Sequence, residues 1–424
     1  MAAPSILFIH DNFPAQFRSL AGYLQNRGWD VHAAGENKIF DTKKFQKFTD
    51  GVRVLGYRRP REPSQQTHRY LRGLEKAVLT GQGFAGQAIR MANSNINPDI
   101  IVAHSGWGSG SFAKAVWPDA VFVQYLEWWY AHPPRDINPP YKKLSPAEEA
   151  NARAQTHARN LPFMLDAMQA DAILIPTRFQ ALDVPKVLRK NIHILHDGVD
   201  CDFFHPEIER AEFTIGQTKF DPKTRFLTYA TRGMEPTRGF PEFMAAASRV
   251  MKENPDIHCA IAGNDSVHYG GKLPEGDSYL KRALAEHDFD KKRLHLLGRL
   301  SLQDYAKLLR RSDCHVYLTK PFVLSWSLIE SMASAAPLVV SDTPPLVEAL
   351  PHDSQALRVT HTDIDALTAA IHKTLNNPKD ARKRGGRARA RAENIYAASK
   401  LLPKHEELFQ SLIDARTDLQ DSAD

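Results

Sequence analysis

Two arginines six residues apart, Arg232 and Arg238, punctuate the glycine-bearing stretch TYATRGMEPTRGFPEF, residues 228–243. Guanidinium groups make bidentate, permanently charged contacts with phosphate oxygens. Such a pair can converge on one diphosphate and offset the charge that develops as a nucleoside diphosphate departs. Two solvated surface arginines would give the same pattern. Further on, residues 312–348 run from an apolar stretch through a serine-flanked turn and a short helix bearing Glu330 to a second apolar stretch. Ser325 is a suitable N-cap for that helix, beside Trp326, and is expected to leave the amides of Ser327 and Leu328 unpaired. Free amides at a positive helix end attract anions. An ionised glutamate one turn on, being acceptor-only, can take two hydrogen bonds from a diol such as a ribose. Together these parts describe a seat for a sugar nucleotide. Taken alone, the window fits equally well an ordinary strand, helix, strand unit with a solvated glutamate.

The first half carries a different set. YLEWWYAHPP, residues 125–134, places Glu127 among Trp128, Trp129 and Tyr130. Aromatic faces with a carboxylate suit a sugar, and three consecutive aromatics are expected not all to point inward, which favours a cleft position for some of them. HSGWGSGSF, residues 104–112, puts Gly106, Gly108 and Gly110 in a loop where glycine either lets a ligand approach the backbone or simply supplies positive φ. His104 is read as structural. A literal GxGxxG at Gly81, Gly83 and Gly86 lacks the strand and tight turn a dinucleotide site requires, and is set aside as a chance match within an interrupted helix. The chain has no HExxH, GxSxG or Walker A loop, so metal hydrolysis and phosphoryl transfer lose support, and no metal site is expected.

Positioning these residues needs more than one core. A chain of 424 residues implies two domains. Strand patterns fall at 6–9, 31–34, 52–55, 100–103, 121–124 and 172–175, then at 226–229, 258–262, 294–297, 314–318 and 338–340. Helical periodicity separates them, which predicts two parallel α/β sheets. The expected divisions are 1–190, an acceptor-side domain; 191–394, a nucleotide-sugar domain; 395–416, a last helix packing back on the first domain; and 417–424, a disordered tail. The hinge is placed at 191–206, where Asp197-Gly198 demands a tight turn and Phe203 and Phe204 could pin it. In such sheets ligands bind beyond the carboxyl ends of the strands, so the loops should carry function.

Composition narrows the class. The net charge of +6, from 55 Lys+Arg against 49 Asp+Glu, suits anionic ligands and is too mild to imply nucleic acid. Cys201, Cys259 and Cys314 are far apart and suggest neither disulfides nor zinc. No window approaches ~20 apolar residues and no basic stretch precedes the N-terminal apolar patch. The expected setting is a reducing cytoplasm. Arg58, Arg59, Arg61, Arg69 and Arg72 in 57–74 could meet a phosphorylated or lipid-linked acceptor at the inner face of a membrane, or form a merely solvated loop. The charge run 380–393 reads as a solvated helix face, with an anionic surface as its alternative.

Over residues 228–348 the chain resembles the nucleotide-binding half of the retaining family-4 glycosyltransferases. Arg232 and Arg238 match that family's arginine and the basic residue six positions on, and Glu330-Ser331-Met332-Ala333 matches its C-proximal glutamate motif. LHLLGRL, with Gly298, Arg299 and Leu300, matches the segment where the donor base docks, and Asp197-Gly198-Val199-Asp200 is close to its Asn-Gly-Val-Asp linker. The opening NFPAQFR, with Gln16, and the segment YLTKPFVLSWSLIE are similar to one bacterial subgroup, so the resemblance covers nearly the whole chain. It implies the α/β GT-B architecture, two Rossmann-like doubly wound domains facing across a cleft. It further implies metal-independent, retaining transfer of a hexose-type sugar from a nucleoside diphosphate to a glycan, lipid-linked or small-molecule acceptor, in polysaccharide or glycoconjugate synthesis and without a cofactor.

In that reading Arg232, Arg238 and Glu127 are catalytic. Glu330, Ser325, Trp326, Arg299, Gly298 and Leu300 hold the donor, and Gln16, Trp128, Trp129 and Gly106 line the acceptor side or cleft. Two departures from the family stand out. Phe322 occupies the place of the first of two motif glutamates, and Tyr125 and Glu127 stand near where a first-domain histidine is usual. Alternatives are a sugar-nucleotide epimerase or hydrolase on the same scaffold, and a non-catalytic sugar-nucleotide-binding partner of another transferase.

Overall fold

The computed structural model describes residues 3–37, 52–137, 143–207, 209–215, 218–269 and 273–421. The chain divides into two compact units. One comprises Met1–Arg135, Pro139–Gly198 and Ala398–Asp424; the other comprises Asp136–Asn138 and Val199–Ala397.

The first unit is built on a seven-stranded sheet of β1 (Ser5–Ile9), β2 (Asp30–Glu36), β3 (Arg53–Tyr57), β4 (Ile100–His104), β5 (Val121–Tyr125), β6 (Ala172–Ile175) and β7 (Ile192–Ile194). Their order is β3-β2-β1-β4-β5-β6-β7 and every pairing is parallel. Ile6 to Ile9 and Ile100 to Ala103 are fully buried, as strands covered on both faces must be, which is why these segments read as unbroken apolar runs. The helix Arg72–Asn93 contains the literal GxGxxG. It is continuous, and two of the motif's three glycines, Gly81 and Gly83, serve packing. A Cβ on Gly83 would lie 2.3 Å from the Arg58 carbonyl oxygen, and one on Gly81 would lie 2.8 Å from that of Gly108. The helix Pro146–Ala167 starts at a capping box, with Ser145 and Glu148 satisfying one another's backbone amides.

The C-terminal helix Ala398–Asp421 belongs to this first unit, with Leu402 and Phe409 in the core beneath β1 and β5. Glu406 accepts from the Tyr23 hydroxyl at 2.8 Å and from Trp29 Nε1 at 3.2 Å. Residues 417–421, expected as the start of a disordered tail, instead continue the helix. The good helix formers that precede them propagate it; residues 422–424 lie outside the described residues.

The second unit holds a six-stranded parallel sheet, and beside it β8 (Phe213–Ile215) and β9 (Thr218–Phe220) pair antiparallel. The six are β10 (Arg225–Gly233), β11 (Ile257–Asn264), β12 (Leu294–Gly298), β13 (Cys314–Tyr317), β14 (Leu338–Ser341) and β15 (Leu357–Val359), in the order β12-β11-β10-β13-β14-β15. The chain crosses between units at Gly198–Val199, where Gly198 has φ +83°, and again at Ala397–Ala398. The charge run 380–393 is not simply solvated. It lies in and just beyond the helix Pro378–Arg391, where Arg384 is buried against Asp380. Arg389 and Arg391 donate to backbone carbonyls of Phe204, Ala333, Ala349 and Glu348. All three cysteines are free and buried.

Candidate functional site

A doubly wound sheet opens a crevice where neighbouring strands send their following chain in opposite directions. In the second unit that point lies between β10 and β13. Arg232 stands near the end of β10 and Arg238 in the loop that follows it, and the loop after β13 leads into the helix Trp326–Ala333. Direct bonds join the two loops. Arg238 Nη1 donates to Thr319 Oγ1 at 3.1 Å, and the Lys320 amide donates to the Thr237 carbonyl at 3.1 Å. From below, the Tyr229 hydroxyl holds the Arg238 carbonyl at 2.7 Å. Gly239 turns the chain at φ +64°, and a Cβ there would sit 2.6 Å from that of Leu318. Arg232 is exposed at the rim.

Glu235 was not singled out from the sequence. It is buried, and its Oε2 accepts from the amides of His268 (3.0 Å) and Tyr269 (2.8 Å), while its Oε1 has no partner among the described residues. This carboxylate presents the Tyr269 ring to Arg238, whose guanidinium carbon lies 5.4 Å from the ring centroid. Phe322 meets the same ring edge-on at 5.9 Å. Phe322 therefore packs behind the aromatic that lies against Arg238.

Ser325 caps the helix Trp326–Ala333, as its sequence position predicts, but the two amides are not free. That of Ser327 donates to Ser325 Oγ at 3.3 Å and that of Leu328 to the Ser325 carbonyl at 3.2 Å. The cap uses for itself the donors that were expected for an anion. Trp326 is 38% exposed. Burial pushes the Glu330 carboxyl up to about 7, a shift that the neighbouring Tyr305 hydroxyl partly opposes. Gly298 ends β12 in the left-handed region at φ +61°, Arg299 is exposed beside it, and Leu300 packs against the core beneath β8 and β9.

The first unit has its own crevice, between β1 and β4. His10 follows β1, His104 ends β4 and Glu127 lies just beyond β5. The Asn12 amide donates to His10 Nδ1 at 2.8 Å, so the ring proton sits on Nε2 and is donated to Gln16 Oε1 at 2.9 Å. Gln16 Nε2 then donates to Glu127 Oε1 at 2.9 Å, and His104 Nε2 lies 3.6 Å from Oε2. Burial would raise the Glu127 pKa, yet His104 and Gln16 together hold it below the ordinary value. Gln180 fixes the Glu127 backbone carbonyl at 2.7 Å.

Gln16 and Glu127 are thus brought together, and His104 joins them in spite of its reading as structural. Trp128 and Trp129 do not join them. Both are buried, Trp128 against Phe179 and Trp129 with Leu126, Ile173 and Val184. Different neighbours cover the two rings, which is how two consecutive aromatics can both be buried. Tyr130 is only partly covered, under the Arg159 guanidinium at 3.4 Å. Gly106, at φ +96°, is required by structure, because a Cβ would lie 2.4 Å from the Phe163 ring. Most arginines of 57–74 are already engaged: Arg59 with Glu62, Arg61 with Glu75, Arg69 with Asn151 and Arg72 with the Gln65 carbonyl.

Position relative to a switch point would have picked out His10 and His104, but strand order is not visible in a linear pattern. Among the described residues no group of three or more His, Cys, Asp or Glu could hold a metal ion, and no helix is long and apolar enough to cross a membrane.

Comparison with known proteins gives two family matches. A glycosyl transferase family 4 group model matches residues 27–204, and a glycosyl transferases group 1 model matches residues 211–391. The MMP alpha-(1->4)-mannosyltransferase of Mycolicibacterium hassiacum is 27% identical over 244 residues, 57% of this chain and 52% of that protein. The match thus spans about half the length of this curated relative. Among solved structures, a sucrose-phosphate synthase from Thermosynechococcus elongatus superposes with a TM-score of 0.71 at 13% identity, over 97% of this chain and all of that one. A glycosyltransferase from Rickettsia africae gives 0.66 at 16% identity, over 97% and 99%. Anabaena HepE, solved in complex with UDP and glucose, gives 0.66 at 14% identity, over 96% and 100%. At these identities the likeness to solved structures is one of fold.

Proposed function

We infer that the chain belongs to the glycosyltransferases of the GT-B architecture and moves a hexose-type sugar from a nucleoside diphosphate to an acceptor hydroxyl. The observation that carries this reading is the cationic crevice of the second unit, where Arg238 is tied to Thr319 across the switch point with Glu330 on the adjoining helix. The family match over residues 211–391 and the UDP and glucose complex of Anabaena HepE support a nucleotide-sugar donor.

The bond from the anomeric carbon to the diphosphate oxygen breaks as a bond to the acceptor oxygen forms. Arg238 and Arg232 stabilise the charge on the departing diphosphate, so their fixed cations do what a metal ion would otherwise do. The leaving oxygen takes the acceptor's proton on the same face, which retains anomeric configuration. Glu330, once ionised, accepts from the ribose hydroxyls, and Arg299 lies against the base. Glu127, held as a carboxylate by Gln16 and His104, serves the sugar or acceptor side. An incoming phosphate would displace the weak Ser325 cap from the Ser327 amide.

Phe322 favours a second reading, a nucleotide-sugar-binding partner without activity, because it removes a carboxylate expected to contact the donor sugar. Calorimetry with nucleoside diphosphates, joined to an assay of nucleotide release from candidate donors, separates the two. The transferase reading expects both binding and acceptor-dependent release. Tight binding with no donor consumed across the panel would sink it, and release without any acceptor would point to a hydrolase or epimerase.

A further inference from the structure

Beside the Glu127 network, wholly within the first unit, lies a cavity of about 350 Å³ whose lining includes Asp11, Asn12, Glu36, Arg59, Lys76 and Trp107. Its polar groups stand where β1, β2 and β3 end, the ligand-binding edge of such a sheet. Asp11 is buried and fixed by the Tyr57 hydroxyl at 2.6 Å. The Arg59 guanidinium reaches Glu62 at 2.8 Å and Glu36 at 3.6 Å, while its Nε is buried with no partner among the described residues. Trp107, more than a third exposed, is held edge-on to His10 and tilted against His104, with ring centroids 4.8 and 4.9 Å away. The loop bearing it cannot drift. Gly106 and Gly108 both have positive φ, and a Cβ on Gly108 would lie 2.1 Å from the Ala77 carbonyl oxygen.

We propose that this cavity is the acceptor subsite and that the acceptor is a saccharide ring stacked on Trp107. The proposal rests on the glycosyl-transfer reading above. Two carboxylates, an amide and two cations line the cavity with Trp107, offering both the acceptors and the donors that a ring of hydroxyls can use. A bare phosphate would meet the charges of Asp11 and Glu36, and an acyl chain would bring no hydrogen-bonding group to a lining of charged and amide side chains. The backbone N–H of Asn12 donates to His10, which joins Gln16 and Glu127, so the segment that carries Asp11 and Asn12 into the subsite is also anchored to the Glu127 network.

The test uses the full chain with methyl α-D-glucopyranoside and methyl α-D-mannopyranoside as probes, followed without donor by saturation-transfer NMR, and then as acceptors with donor present. Saturation should reach the pyranoside ring protons and be lost in Trp107→Ala and in Lys76→Ala. Acceptor KM should rise about tenfold in each, with donor KM and nucleoside diphosphate affinity within twofold, which also reports that the variants are folded. Absence of pyranoside binding, binding indifferent to both substitutions, or transfer confined to acceptors without a sugar ring would overturn the proposal. Pyranoside binding lost in both variants, with no donor turnover by the unaltered chain, would uphold the saccharide site and overturn the transfer reading separately.

Discussion

The two switch points of this molecule share a scaffold and differ in chemistry. Between β10 and β13 the loops converge on cations, with Arg238 braced by Thr319 and Tyr269 and Arg232 exposed at the rim. Between β1 and β4 they converge on histidine and glutamine side chains gathered around one carboxylate, Glu127. A parallel sheet dictates where a site lies and leaves open what it binds; loop residues decide that. If the division is functional, the second unit should control the donor and the first the acceptor.

Arg238→Ala should break the donor side most severely. Loss of one charge-stabilising donor costs about 10²–10³ in rate, so transfer should fall by at least that much while the melting temperature moves by only a few degrees. Turnover near that of the unaltered chain would remove the diphosphate assignment. Glu127→Gln should lower transfer about 10²-fold, within the range for a group that handles a reacting proton or charge, and leave nucleoside diphosphate affinity by calorimetry unchanged. Weakened nucleotide binding in that variant would collapse the distinction between the two sites.

Glu330 sharpens the comparison through pH. Its folded pKa is raised to about 7, from an ordinary 4.5, so the folded chain holds that proton more tightly than the unfolded chain does. Stability linked to this group therefore increases as pH falls from above 7 towards 4.5, and the ionised form is the destabilising one. At pH 8, Glu330→Gln should raise unfolding stability in the ligand-free chain by on the order of 2 kcal/mol. It should also weaken donor binding about tenfold, the scale of a lost charged hydrogen bond. Donor affinity of the unaltered chain should drop between pH 8 and pH 6, because protonation removes the acceptor that the ribose needs. A flat profile in titration calorimetry would argue against the ribose role.

Much of the second site was legible because its signals are local. Arg232, Arg238, Ser325 and Glu330 each follow an apolar run long enough to declare a strand, and glycine at 239 marks a turn that only glycine fits. The first site was less so. Gln16 and Glu127 are 111 residues apart yet hydrogen-bonded, and His10 and His104 became neighbours only through the sheet order, which apolar periodicity does not encode. Strands of three residues, such as β7 and β15, are too short to show alternation. Trp128 and Trp129 misled for a related reason. Each is covered by different neighbours, Trp128 by Phe179 and Trp129 by Leu126, Ile173 and Val184, which residue type alone does not reveal.

Phe322 tests the finest point of the comparison. The chain places the Phe322 ring against Tyr269, and Tyr269 lies against Arg238. Phe322 is then a positioning residue, acting through an aromatic pair of roughly 0.5–1.5 kcal/mol. Phe322→Leu keeps apolar bulk and loses the edge-to-face contact, so nucleoside diphosphate affinity should weaken about threefold. Acceptor KM should not change, because the ring contact that is lost lies within the second unit. Restoration of affinity by Phe322→Tyr, which keeps the ring, would distinguish the packing role from a general loss of fold. If Phe322→Leu instead changes which sugar is transferred and leaves nucleotide affinity intact, the ring contacts the sugar directly, and the donor side of the molecule is larger than the arginine crevice.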